Sequence, residues 1–340
     1  MASIPLHLLP EEASLRVLRN MEIYDQLAYS LCSKNTKKVI KSVNLTAEEI
    51  NLCVFNGLEF EFRFKNNLVM WSSMNPGYFF PDEEFRTPEC IQVSTLDNAE
   101  WKLTPSQNFG VKYFGVKEWL HHFCEVLHHP RLDELAFNGD DVNDDFIKPV
   151  QKVIKGLKLV YFGLGDQLTS KFTKTALGSF HNYEKLYIEQ VLFNNHKVHK
   201  MEKFLVQNLS KLCIPEAERL NINQVLLSNS KCVKLNISKF TDKDLNRLLK
   251  LWIRGSNPRL KNFYTTVQPH HGSVSLDEKV VLGGIKHSQI PLDSQEVYKN
   301  HLYKAYIEET PLAGGSRIRR HDGTTAVVLI KERIFELIVD

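Results

Sequence analysis

"CVKLNISKFTDKDLNRLLKLWIRGSNPRLKNFYT", residues 232–265, reads as strand, helix and strand in one stretch. At its centre Thr241 with Asp244 approximates a capping box, Gly255 stands at the position after the C-cap, and Pro258 cannot continue a helix. Leu245, Leu248, Leu249 and Trp252 fall at i, i+3, i+4 and i+7, the spacing of one buried helical face. On either side "CVKLNI" (232–237) and, more loosely, "LKNFYT" (260–265) place apolar residues in an apolar-x-x-Leu-x-apolar frame, with Phe263 in the leucine position.

The same frame occurs upstream in "LDELAF" (132), "IKGLKL" (154), "YEKLYI" (183) and "AERLNI" (217). Starts are 22, 29, 34, 15 and 28 residues apart, and most intervals hold a helix-period run such as "KMEKFLVQNLSKL" (200–212). The phrase is similar to the strand portion of a leucine-rich repeat, and the uneven spacing predicts a degenerate strand–helix solenoid from residue 116 onward. If the apolar anchors face the helices, the residues between them line the other side of a curved parallel sheet. That side would present Glu134, Lys185, Tyr187, Arg219, Asn221, Lys234, Asn236 and Tyr264. Tyrosine and arginine favour protein recognition, and the mixed charge disfavours a phosphate-tracking groove.

Outward from this region, "SRIRRHDGTTAVVLIKERIFELIVD" (316–340) carries a hairpin signal at Asp322-Gly323 and a last strand with Phe335, Leu337 and Val339 alternating. "VKEWLHHFCEVLHHP" (116–130) puts Trp119, Phe123, Val126 and Leu127 on one helical face and stops at Pro130. In "GLEFEFRFK" (57–65) Leu58, Phe60, Phe62 and Phe64 alternate with Glu59, Glu61 and Arg63, a half-buried strand turning at Asn66-Asn67. Residues 72–100, with Pro76, Gly77, Pro81 and Pro88, read as loop.

At the front stands "LPEEASLRVLRNMEIYDQLAYSLCSKNTKKVI" (9–40). Pro10 suits the start of a helix, and Glu11 and Glu12 complement its dipole. Leu15, Leu18 and Met21, with Val17 beside them, form a stripe; Asp25 is a candidate cap for a second helix with Leu27 and Leu31, and a third spans about Thr36 to Lys41. Such a module is too small to fold alone, so its stripe needs the rest of the chain or a partner.

Composition limits function without naming it. The 340 residues are 43% hydrophobic, 24% charged and carry a net charge of +3, so no strong nucleic-acid footprint is expected. No secretory leader or membrane span is legible, and six scattered cysteines without a CxxC fit reduced thiols, so the expected location is cytoplasmic or nuclear. His121-His122 and His128-His129 around Glu125 lack the i, i+4 spacing of a zinc site and read as a solvated helix face. "GLGDQLTSK" (163–171) lacks the third glycine or the Gly-Lys-Ser/Thr of a phosphate cradle, and "DDVNDD" (140–145) lacks the glycine and distal glutamate of a calcium loop. "RIRRH" (317–321) and "SKNTKK" (33–38) read as ordinary surface charge. The expectation is a non-enzyme without metal or cofactor, without nucleic-acid or membrane partners.

The front stretch resembles an F-box: Leu9-Pro10-Glu11, the helix with Leu15, Val17 and Leu18, then Met21-Glu22, Leu27, and "SLCSK" (30–34) in place of the more usual valine-cysteine-lysine. Gln26 stands where that family often has an apolar residue. Its wording is similar to the large nematode family with an F-box-associated domain, as are "LNRLLKLWIRGSNPRLKNF" and "RIRRHDGTTAVVLI". The resemblance implies an F-box at 1–45, a small β region and loop at 46–115, and a repeat-like recognition domain at 116–340. It further implies a non-catalytic, substrate-recognition subunit of an SCF (Skp, cullin, F-box) ubiquitin ligase. A Skp-family adaptor, and through it a cullin, would dock on Leu9, Pro10, Leu15, Leu18, Met21, Leu27 and Leu31. An unknown target would dock on Tyr187, Arg219, Asn221, Lys234, Asn236 and Tyr264. The alternative is a non-ligase interaction solenoid whose N-terminal helices are a structural cap.

Overall fold

A computed structural model describes residues 9–340 except 56, 66–67, 75–89, 98–101, 104–106, 112–113, 190–202, 219, 269–274, 295–296, 301–307 and 312–313. The chain is mixed α/β and divides into two compact units, residues 1–163 with 167–182, and 164–166 with 183–340. The first therefore contains both N-terminal regions expected from the sequence and the beginning of the third.

The first unit opens with helices α1 (Glu11–Arg19), α2 (Ile23–Leu31) and α3 (Lys34–Val43). Glu22 precedes α2, so Asp25 lies within its first turn instead of capping it. Ser33 caps α3 by a capping box with Thr36, and Asn44 ends it in the left-handed region (φ 64°). Strands β1 (Glu49–Val54), β2 (Leu58–Arg63), β3 (Leu68–Met74), β4 (Cys90–Asp97), β5 (Lys102–Leu103) and β6 (Gln107–Gly110) follow. The stretch read as loop over 72–100 thus contains β4, paired antiparallel with β3; its prolines precede that strand without interrupting it. The Asn66-Asn67 turn lies outside the described residues.

After α4 (Val116–Val126) come β7 (Arg131–Phe137), α5 (Ile147–Val153), β8 (Lys158–Leu164) and α6 (Ser170–Ser179). The sheet runs β5-β4-β3-β2-β1-β7-β8, with β6 also on β4. β1 is antiparallel to β2 but parallel to β7, the step that turns a meander into an α/β arrangement. Period two in β2 buries Phe60 and Phe62, and Phe62 meets Phe123 of α4 edge-on at 4.9 Å. Phe137, Phe162, Phe172 and Phe180 make a second aromatic cluster, with ring centroids 5.2 to 6.2 Å apart.

In the second unit β9 (Lys185–Ile188), β10 (Lys211–Ile214), β11 (Cys232–Ser238) and β12 (Asn262–Val267) lie side by side in chain order, all parallel. The chain then reverses into an antiparallel flank, β12-β18-β17-β16-β13, formed by β13 (His287–Gln289), β16 (Ser316–Arg319), β17 (Thr325–Lys331) and β18 (Ile334–Val339). β14 (Val297–Asn300) and β15 (Glu308–Pro311) pair separately. The described residues of the unit also include helices α7 (Ile222–Leu226), α8 (Asp242–Ile253) and α9 (Glu278–Val281).

The opening stretch folds as read. The Thr241–Asp244 capping box starts α8, Gly255 takes φ 108°, and Leu245, Leu248, Leu249 and Trp252 are buried. Two other phrases do not fold as read. The described residues of "AERLNI" form no strand: Leu220 N–H turns back to the Ala217 carbonyl and Asn221 is the N-cap of α7; the strand is "KLCI" of β10, hidden at the end of the run read as helix. In "IKGLKL" the strand begins only at Lys158, because Ile154 caps α5 and Gly156 turns the chain at φ 92°.

Candidate docking surfaces

The three N-terminal helices are fastened to α4. Ser30 is buried and donates its hydroxyl proton to the Leu27 carbonyl at 2.6 Å, so its oxygen is left to accept from His122 Nε2–H at 2.8 Å. Burial, then the nearby Lys37 ammonium, pushes the His122 pKa down to about 4, which keeps the ring neutral. One turn along α4, Glu125 receives Lys37 at 2.5 Å and Lys41 at 2.9 Å; these hydrogen-bonded ammonium groups bring its pKa down to about 2. His128 Nε2 reaches the Lys41 carbonyl oxygen at 2.8 Å. The histidines are therefore fixtures of this seam, and the solvated-face reading fails for His122 and His129, both buried. Both His129 nitrogens face acceptors, the Ala47 carbonyl at 3.1 Å and Asp133 Oδ2 at 2.5 Å. Asp133 also receives Ile50 N–H and Arg131; despite burial, which opposes it, these contacts hold its pKa below the ordinary value.

Of the seven residues expected to meet an adaptor, Pro10 is exposed and Leu9, Leu15, Met21 and Leu31 are half-buried. Leu18 and Leu27 are 0% exposed: the chain covers them itself, so in this fold they offer no surface to a partner. Val17, part of the resembling helix but not among the seven residues expected to meet the adaptor, is 41% exposed and is the most exposed large apolar side chain of these helices. Gln26 is buried, its Nε2 donating to the Met21 carbonyl at 2.7 Å, while its Oε1 has no partner among the described residues.

The expected target residues separate into two sets. Strand register places Tyr187, Cys213, Lys234, Tyr264 and Glu336 in one row across β9, β10, β11, β12 and β18. Lys185, Lys211, Cys232 and Asn262 form the adjacent row, and Asn236 lies one row beyond Lys234 on β11. Leu186, Ile188, Leu212, Ile214, Val233, Leu235 and Phe263 occupy the alternate, buried positions. Lys234 Nζ sits 5.6 Å from the Tyr264 ring centroid, a cation–π distance. Asn221 is not in this row, being committed to capping α7 through Gln224. Arg219 lies outside the described residues, and Glu134 belongs to the first unit. Sequence reading missed Lys211 and Cys213; the Pro215 that closes "KLCI" was the available strand-end signal.

The basic "RIRR" segment is also not plain surface charge. Arg320 is buried, 5.5 Å from the Trp252 ring centroid, and donates to the Gly255 carbonyl at 2.6 Å, while His321 N–H donates to Ile253. It thereby closes the C-terminal end of α8. Among the described residues no group of three or more His, Cys, Asp or Glu could hold a metal ion. No described helix is long and apolar enough to cross a membrane.

Against this geometry stand the comparisons with known proteins. Residues 6–48 match the F-box domain family, and residues 200–265, which include β10, β11, α8 and most of β12, match the family described as F-box associated. A Caenorhabditis elegans protein, F-box associated domain-containing protein sdz-33, is 25% identical over 269 residues, which cover 78% of this chain and 79% of that relative. No solved structure matches. The chain thus carries an F-box and an F-box-associated domain, the combination of the nematode-type family that its two ends resemble.

Proposed function

We propose that this chain is the substrate-recognition subunit of an SCF-type ubiquitin ligase. The F-box takes a Skp-family adaptor, and through it a cullin, on the surface around Val17, Pro10, Leu9, Leu15, Met21 and Leu31. The β9–β12 region, a short degenerate strand–helix solenoid, takes the target on the row containing Tyr187, Lys234 and Tyr264, with Asn236 beside it. Covalent chemistry belongs to the other subunits of the ligase. The observation that carries the reading is the pairing of two matched domains in one chain, an F-box fastened to α4 and an F-box-associated segment whose strands set these side chains in register.

A second reading, the N-terminal helices as a structural cap, draws on the complete burial of Leu18 and Leu27 within the chain. Co-expression with the adaptor under proteasome inhibition separates the two. The ligase reading expects a ubiquitinated protein whose recovery requires both Val17 and the Lys234/Tyr264 row. A chain that recovers no adaptor belongs to the capping reading.

A further inference from the structure

Helix α4 has two different faces. Trp119, Phe123 and Val126 are buried, and Phe123 meets Phe62 of β2, so one face belongs to the core of the first unit. His122 and Glu125, one turn apart at i and i+3, reach the N-terminal helices instead. The histidine-glutamate motif that offered no metal site is therefore a set of attachment points for the F-box.

The F-box depends on such attachment. Its helices have 9, 9 and 10 residues, shorter than helices that persist alone, and about forty residues cannot supply a sufficient core. Neither α1 nor α2 has a side-chain hydrogen bond at its N-cap; α3 does, through Ser33 and Thr36. α3 also packs against α1, α2 and α4 alike, so through it α4 bears on α1, the helix that carries Val17. Two fastenings hold this centre from outside. Lys37 and Lys41, at i and i+4 on α3, converge on the single Glu125 carboxylate, and His128 Nε2–H donates to the Lys41 carbonyl. On α2, Ser30 accepts from His122, and both are buried, so that bond is shielded from competing water. Ser30 turns toward α4 while its neighbour Leu31 stays half-buried among the residues read as meeting the adaptor.

We propose that Glu125 and His122 are positioning residues for adaptor binding: by fastening α3 and α2 to α4, they hold three short helices in the arrangement that a Skp-family adaptor recognises. The affinity of the surface around Val17 then depends on side chains of α4 that act through Lys37, Lys41 and Ser30. This inference rests on the reading of the F-box as the adaptor site.

Titration calorimetry of the full chain with a purified Skp-family adaptor tests it, each variant first being shown folded by near-ultraviolet circular dichroism at the titration temperature. Glu125→Lys gathers three ammonium groups, and Lys37→Glu/Lys41→Glu gathers three carboxylates. Each is expected to weaken adaptor binding about tenfold or more. The triple chain Glu125→Lys/Lys37→Glu/Lys41→Glu restores opposite charges and should recover most of the loss. Glu125→Gln, a milder change that keeps a hydrogen-bond acceptor, should show a smaller loss and carries the test if a charge reversal fails to fold. At the second fastening His122→Leu should weaken binding more than His122→Gln, which keeps an N–H donor for Ser30.

Folded Glu125→Lys and Glu125→Gln chains that bind as tightly as the parent overturn the inference and leave the adaptor reading standing. A loss in Lys37→Glu/Lys41→Glu that the triple chain does not restore also overturns it, because the lysines would then meet the adaptor directly. A parent chain that binds no adaptor overturns the adaptor reading and this inference with it.

Discussion

The outer sheet faces of the two units are built from the same alternation and differ in which charges register sets side by side. In the first unit Glu49, Glu59, Glu61 and Glu134 occupy the positions between buried neighbours, and Arg63 lies among them at 2.5 Å from Glu61 and 3.5 Å from Glu49. Asn51 adds a hydrogen bond to Glu61 at 3.3 Å, and burial followed by the Glu61 charge raises the Glu59 pKa. In the second unit lysine stands beside lysine in the ladder. One face places opposite charges at ion-pair distance and so contributes to its own cohesion; the other sets lysine beside lysine between β9 and β10, with Glu336 at the end of the next row. The comparison teaches that a polar outer face is not evidence of binding until its charges have been paired off by register.

The largest expected effect lies in the F-box, where burial decides. Leu18→Asp places a carboxylate at a fully buried position and should cost about 4 kcal/mol or more, melting the first unit well below the parent in a thermal unfolding scan. Val17→Lys, at an exposed site in the last turns of α1 where a cation suits the dipole, should leave the melting temperature near that of the parent. Equal melting of the two variants would contradict the burial of Leu18.

Next in size is a pH effect at the α4 seam. His122 has a folded pKa of about 4 against an ordinary 6.5, so the folded state binds fewer protons; the stability it contributes is complete above about pH 6.5 and is lost as pH falls toward 4. The ceiling of that loss is about 3 kcal/mol. Glu125, depressed to about 2, acts in the same direction between about pH 4.5 and 2, with a smaller effect because its side chain is half exposed. Urea unfolding at stepped pH should show stability falling from 6.5 to 4 in the parent and much less in a His122→Gln chain.

The two faces themselves separate at smaller energies. Arg63→Ala should destabilise by about 1 kcal/mol, because it leaves the surrounding glutamates facing one another. Lys234→Ala should change stability by less than about 0.5 kcal/mol, since loss of the contact with Tyr264 is offset by relief of repulsion toward Lys211. A Lys234→Ala loss as large as that of Arg63→Ala, by denaturant midpoint, would erase the distinction between the faces.

Local signals with strong chemistry were readable in advance. The α8 cap, its four-residue core face, the alternation of β2 and the parallel strand phrases at 132, 183, 232 and 260 needed only propensity and period. "AERLNI" and "KLCI" exchanged roles because a six-residue apolar frame fits a capped turn as well as a strand, and only the ladder with β9 and β11 decides between them. Ser30 with His122, and Lys37 and Lys41 with Glu125, pair residues more than 80 apart in sequence, and no local pattern announces such pairings. For the same reason the stripe of α1 did not reveal which of its leucines the chain would cover and that Val17 would stay outside.

Adaptor binding through Val17 of α1 is the most direct test of the central claim. The parent chain and Val17→Lys, each verified as folded by near-ultraviolet circular dichroism, would be co-expressed with a Skp-family adaptor and analysed by size-exclusion chromatography with light scattering. The parent should elute as a one-to-one complex with the adaptor, and Val17→Lys as the folded chain without it. A parent chain that never binds the adaptor, or a Val17→Lys chain that binds it undiminished, would contradict the account.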